Sequence, residues 1–174
     1  MELILENVRL SYPHLFKAKS VMNSDPKYSA AFILDKTRDA KMIARAQEVI
    51  KEVLAEAKKR VDTDKMCLKD GATKEEIYGP DVMFINASND DRPQVVDRGR
   101  HPVTEEDDII YGGCYCNAVL NVWFQDNQWG RRVNASLEAV QFVRDGERFG
   151  RKPLDVNEKL PDLSGEDDGG DPLK

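Results

Sequence analysis

Cysteine, histidine and long apolar runs are all scarce in this 174-residue chain, and each scarcity removes a class of protein. Three cysteines, Cys67, Cys114 and Cys116, are odd in number and cannot build the paired framework of a disulfide-stapled domain. Zinc would need four ligands, and the two histidines, His14 and His101, sit in unrelated stretches without a ligand-spaced partner. The cysteines therefore read as small buried residues, and neither a metal nor any other cofactor is expected. No apolar run approaches the roughly 18 residues of a membrane span, and the acidic start Met1-Glu2 lacks the basic and apolar regions of a signal peptide. A soluble cytoplasmic protein without a membrane partner is the expectation.

Catalytic parts are missing too. Nucleophilic catalysis needs a base held by a third group, and both histidines stand beside prolines, Pro13 and Pro102, in loop-like contexts. There is no P-loop, no G-x-G-x-x-G after a strand, no H-E-x-x-H and no EF-hand loop. The run Glu105-Glu106-Asp107-Asp108, with Asp97, is the one place for a metal-dependent nuclease, but consecutive carboxylates rarely converge on one ion and read better as a solvated loop. The chain is not expected to be an enzyme.

What is present begins with charge. Of the net −6, residues 155–174 hold seven acids and two lysines, a net of −5, which leaves residues 1–154 with 25 acids against 24 bases. The low isoelectric point thus belongs mostly to the C-terminal segment, and the body can carry a basic groove. Composition beyond Pro153 turns to glycine, proline and acids without apolar periodicity. The expected division is one domain over 1–154 and a disordered acidic tail over 155–174.

Residues 2–12 and 27–34 are strand-like, separated by a loop containing Pro13 and Pro26. From Thr37 onward, Ile43, Ala46, Ile50, Val53, Leu54, Ala57 and Val61 recur every three or four residues, which predicts an amphipathic helix over about 38–61 with Thr37 as N-cap. Residues 62–77 read as a polar loop or insertion. Strands resume at 82–87 and 94–97, joined by Asn89-Asp90-Asp91 as an expected hairpin, and a long hairpin follows, 109–125 with 131–143. Five or more strands with one helix and no strand-helix alternation predict a mainly β domain, an OB-fold-like β-barrel with one amphipathic α-helix.

The long strand has two unlike faces. Cys114, Cys116, Ala118, Leu120, Val122 and Phe124 form a core face, whereas Tyr111, Tyr115, Asn117, Asn121, Trp123 and Gln125 interleave rings with amides on the other. That second face is either a platform on which bases stack or a second core layer beneath the helix. Arg131, Arg132, Arg92, Arg98, Arg100 and Lys27 stand nearby as cations able to follow a phosphate backbone, although Asp90, Asp91 and Asp97 dilute them.

In order along the chain, RLSYPHLF (9–16), KYSAAFIL (27–34), FINAS (84–88), RPQVVDR (92–98), YGGCYCNA (111–118) and LEAVQFVRDGERFG (137–150) resemble a family of bacteriophage single-stranded DNA-binding proteins. The resemblance spans about residues 3–150. It implies an OB-fold that coats single-stranded DNA without sequence preference during phage DNA replication or recombination, in the host bacterial cytoplasm. Carried to this chain, Tyr12, Phe16, Lys27, Tyr28, Arg92, Arg98, Tyr111, Tyr115 and Asn117 become candidate contacts. Asn121, Trp123, Arg131 and Arg132 join them from the strand-face reading. The acidic tail looks like those through which replication single-stranded DNA-binding proteins recruit replication or recombination partners and compete with DNA. It departs from them by closing on Asp171-Pro172-Leu173-Lys174, with no terminal aromatic. The alternative is a non-enzymatic protein-protein adapter or structural accessory whose aromatic face is a partner or homo-oligomer interface.

Overall fold

The computed structural model describes residues 1–20, 24–150 and 156–165. Two long, strongly alternating strands frame the fold. β1 (Glu2–Lys19) pairs antiparallel with β2 (Lys27–Asp35) on one side and with β6 (Tyr115–Asn127) on the other. After β2 come α1 (Ala40–Ala57), the short edge strand β3 (Leu68–Asp70), β4 (Val82–Asn89) and β5 (Gln94–Val96). β6 then turns into β7 (Gly130–Arg144), and a four-residue helix α2 (Val156–Lys159) follows. The sheet order is β3-β4-β2-β1-β6-β7-β5, and an additional pairing of β4 with β7 closes five of these strands into a barrel. That closing contact is parallel, through Ser88 and Ser136. With barrel strands numbered in chain order, the circuit 1-2-3-5-4-1 is that of an OB-type Greek-key barrel.

Burial alternates as the two-residue period requires. Leu3, Leu5, Leu10, Ala30, Phe32, Leu34, Ile85, Cys116, Ala118, Leu120, Val122, Val133, Ala135 and Leu137 all point inward and form one core. Ile43, Ala46, Val49, Ile50 and Val53 of α1 add their apolar stripe to the same cluster. The three cysteines are free and buried, and burial pushes the Cys67 thiol up to about 11.

Several expectations are corrected. β1 does not stop at Tyr12 but continues through Pro13 to Lys19, because register shifts on either side of His14 and a positive φ of 47° at Tyr12 absorb the proline in a bulge. α1 spans Ala40–Ala57 rather than 38–61. Its start follows a turn in which the Asp35 carboxylate accepts from Thr37 and Arg38 N–H, so Thr37 is not the cap. Its end is set by Lys58, whose φ of 54° breaks the helix, and Val61 packs on the core from a non-helical backbone. No hairpin joins β4 to β5. The Asn89 amide donates to Leu137 O instead, and β5 runs parallel to β7 with Gln94 opposite Ala139. β6 begins at Tyr115, not 109, since Gly113 adopts φ 111° with its α-carbon against Glu147 O, where a methyl group would meet that oxygen at 2.1 Å.

Within the expected tail, residues 156–165 carry the α2 turn with every residue exposed, a helical element that composition did not indicate. Residues 151–155 and 166–174 lie outside the described residues.

Candidate nucleic-acid interface

A groove of about 500 Å³ crosses the outer face of β1, β2, β4 and β7. Its floor is small and polar because the outward positions of adjacent strands meet there. Ser29 pairs with Ser88 and Ala31 with Asn86 across β2 and β4. Short side chains at these positions leave room for a ligand to approach the backbone. One wall is aromatic. Phe84 points outward from β4 yet is fully buried, because Tyr78 stacks on it with centroids 4.6 Å apart, and the Tyr78 hydroxyl lies 3.3 Å from Ser11 Oγ. Tyr12, rotated outward by the β1 bulge, stands at the rim with 58% of its surface exposed.

The rim is cationic. Lys19, Lys65, Lys69, Lys74 and Arg132 line the groove together with His14, and among the described residues no carboxylate does. Three of those cations, with Tyr78, come from residues 62–81, the insertion between α1 and β4. Lys65, Met66 and Cys67 fill the gap between β4 and β7, where Cys67 O accepts from Asn86 N–H and Met66 bridges to Val133. Crowding has an electrostatic signature. Burial first, then the charges of Lys74 and Arg132, hold the Lys69 ammonium below its usual range. His14 is lowered likewise, by burial and by Lys19. A cluster of like charges facing a polar trough is suited to an anionic backbone with flat, uncharged bases.

The residues singled out from sequence divide into four places. Tyr12 and Arg132 line the groove. Trp123 lies one strand beyond it on β6: its indole N–H donates to Ser136 Oγ at 3.0 Å, and Ser136 is the partner of the groove residue Ser88. On the same face Asn121 accepts from the N-terminal ammonium, while Arg131, at the β6-β7 turn and on the opposite strand parity, pairs with Asp126 at 3.5 Å. Phe16, Arg92, Lys27 and Tyr28 gather where β1 and β4 end and β2 begins, with Arg92 over the Phe16 ring and Lys27 facing Asp90 at 3.8 Å. Tyr111, Tyr115, Asn117 and Arg98 occupy a further region of the barrel surface. There Arg144 lies 3.6 Å and Arg38 5.0 Å from the Tyr115 ring, and Arg148 covers Tyr111. Asn117 Oδ1 accepts from Asn7 N–H, where β1 shifts register against β6 between Leu5 and Val8, and Arg98 donates to Val143 O. The outer face of β6 thus points away from the core rather than beneath α1, and its two ends serve different neighbourhoods.

Sequence reasoning did not find Lys65, Lys69, Lys74, Tyr78, Asn86 or Asn134. Lys65, Lys69 and Lys74 stand in the polar stretch 62–77, and only the fold of the insertion across the barrel brings them to one rim. Among the described residues no group of three or more histidine, cysteine or acidic side chains is placed to hold a metal, the Glu105 to Asp108 run included. Glu105 faces Lys17, Asp107 accepts from Thr104 N–H and Asp108 pairs with Arg148. No helix among the described residues is long and apolar enough to cross a membrane.

Comparison with known proteins matches this sequence and fold to phage proteins. Protein p50 of Acyrthosiphon pisum secondary endosymbiont phage 1 is 36% identical over 176 residues, covering 94% of this chain and 95% of that one. The single-stranded DNA-binding protein of bacteriophage Enc34, solved in complex with single-stranded DNA, superposes with a TM-score of 0.78 at 30% identity, covering 86% of this chain and 89% of that one. The single-stranded DNA-binding protein gp2.5 of bacteriophage T7 shares the fold alone, with a TM-score of 0.57 at 14% identity over 88% of this chain and 97% of that one. With residues 1–168 matched by the family described as Enterobacter phage Enc34, ssDNA-binding protein, the chain belongs to that family.

Proposed function

We propose that this protein binds single-stranded DNA without sequence preference, laying the strand across the β1-β2-β4-β7 groove, and that it does so without catalysis. The observation that carries this reading is the groove itself: among the described residues, five cations and no carboxylate surround a floor of Ser, Ala and Asn, walled by Tyr78 and Tyr12. Flat rings offer every base the same π-face, and a lysine rim follows phosphates without reading base edges, which makes the binding sequence-tolerant. Family membership and the superposition on the Enc34 protein, solved with single-stranded DNA, support the same ligand. The work of such a protein is protection of single strands during phage DNA replication or recombination in the host cytoplasm. Residues 1–154 form the binding domain, and the acidic segment 155–174 lowers affinity by competing with phosphates for the rim.

Titration with oligothymidine, an equal-length duplex and the matching RNA, followed by tryptophan fluorescence and by mobility shift, tests the reading. Single strands are expected to saturate, with log affinity falling against log salt at about −0.7 per cation engaged, or about −3.5 if all five rim cations contribute. Absence of a mobility shift with any nucleic acid would overturn it and leave the groove as a protein-binding surface.

A further inference from the structure

Beyond the Tyr12–Tyr78 rim lies a second depression of about 630 Å³ whose lining shares Tyr12, Ile77 and Tyr78 with the groove. These three residues form a ridge with one cavity on each side. The far cavity ends at Phe149, which leaves 42% of its surface exposed although it is a large apolar side chain. Its position is built rather than incidental: Phe149 N–H donates to Gly112 O at 2.9 Å, and Arg9 lies beneath the ring with its guanidinium carbon 4.1 Å from the centroid.

Arg9 is held in that place by neutral groups. Its Nη2 donates to Glu147 O at 2.6 Å and its Nε to Gly113 O at 3.2 Å, so both hydrogen bonds orient the guanidinium without cancelling its charge. Among the described residues Glu76 is the one carboxylate that lines this cavity. A guanidinium under one face of a ring leaves the opposite face for a planar ligand and supplies positive charge at the same spot. Flat ring, fixed cation and continuity with a phosphate-binding groove together define a station for another nucleotide.

We infer that the single strand continues out of the groove, over the Tyr12–Ile77–Tyr78 ridge, and stacks a further base on Phe149 backed by Arg9. This rests on the groove binding single-stranded DNA, and it assigns a binding role to a residue at the root of the C-terminal segment, outside the barrel. It follows that Phe149 is contacted only by strands long enough to cross the ridge.

The test is a length series of oligothymidine, from about four to about sixteen nucleotides, titrated against the full chain and its Phe149→Ala, Phe149→Leu and Phe149→Trp variants. Short strands that fill only the groove are expected to bind all four proteins equally. Longer strands should lose about fivefold or more in affinity with Phe149→Ala and Phe149→Leu and keep it with Phe149→Trp, at unchanged thermal midpoints. Leucine retains apolar bulk without a flat face, so its loss separates stacking from packing. Equal losses at every length, or none at any length, would overturn the inference while leaving the groove intact. A wild-type chain that binds no oligothymidine of any length overturns both.

Discussion

Tyr78 covers Phe84 in a stacked pair, rings inclined by 27°, and so turns an outward-facing phenylalanine of β4 into the sealed base of a groove wall. Removing the cover acts on fold and ligand together. Tyr78→Ala is expected to lower stability by about 1 kcal/mol or more through the lost pair and to weaken oligothymidine binding by about 1–3 kcal/mol. Tyr78→Phe keeps the ring and loses only the Ser11 contact, so both quantities should stay near wild type. Paired melting and titration of the two variants checks this; equal affinity of Tyr78→Ala and wild type would remove Tyr78 from the binding surface.

Lys69 has the opposite profile. Its ammonium is disfavoured in the folded protein by burial and by Lys74 and Arg132, so its folded pKa lies below the unfolded one. Below that folded value the charged side chain costs stability, a cost that disappears as pH rises past the unfolded value. Lys69→Met is therefore expected to leave the thermal midpoint unchanged or raised at neutral pH, while the salt slope of oligothymidine binding falls in magnitude by about 0.7. A lowered midpoint with an unaltered slope would contradict it.

His14 makes the groove sensitive to pH. Burial and then Lys19 lower its pKa, and Lys65, Lys69, Lys74 and Arg132 add cations along the same groove. The folded state therefore resists protonation, and stability contributed by the neutral ring is present above the unfolded value near 6.5 and declines as pH falls below it. A bound phosphate favours the imidazolium, so the complex takes up a proton that the free protein does not. Affinity for oligothymidine is expected to rise as pH is lowered through that range, and His14→Gln should flatten the profile. Titrations at matched ionic strength across the range decide it.

Tyr115 is engaged by its own protein, with Arg144 close on the ring and Arg38 further off. Tyr115→Ala is expected to lower the thermal midpoint, by about 1 kcal/mol of stability for the lost cation–π contacts, with less effect on oligothymidine affinity than Tyr78→Ala. A larger loss of affinity than stability would place Tyr115 on the nucleic-acid track.

Deleting residues 156–174 removes six acids and two lysines, a net of −4, from a chain of net −6. Binding of oligothymidine at low salt should tighten, and the difference from the full chain should shrink as salt screens both. Titration of the two proteins at low and high salt measures it; an unchanged affinity at low salt would end the competition idea.

Much of the barrel was legible because its strands alternate strictly. Cys116, Ala118, Leu120 and Val122 declared the core side of β6 by period alone, and all four are buried. The helix was legible for the same reason, in its own period. Breaks from period were not: nothing local marks that Tyr12 takes a positive φ beside Pro13, or that the Asn89 amide reaches Leu137 and sends β5 to the edge of β7. The site was less readable than the fold. Tyr12 stood in a recognisable word and Arg132 beside the long strand whose face alternates, and both line the groove, but Lys65, Lys69, Lys74 and Tyr78 belong to a stretch with neither period nor motif. Their meaning is tertiary, set by where the insertion crosses the barrel.

That insertion is clasped at its base. An added Cβ on Gly71 would meet Gly79 O at 2.2 Å, so the two ends of the segment carrying Lys74 and Tyr78 touch backbone to backbone, with Val82 of β4 directly behind. A loop whose ends meet this closely behaves as a module on a stem. Its exposed positions can change without shifting the register of β2 against β4, so the charge at Lys74 is adjustable apart from the barrel, whereas Tyr78, stacked on Phe84, ties the far end of the loop to β4. Grip and architecture are thereby set by different residues of one short loop.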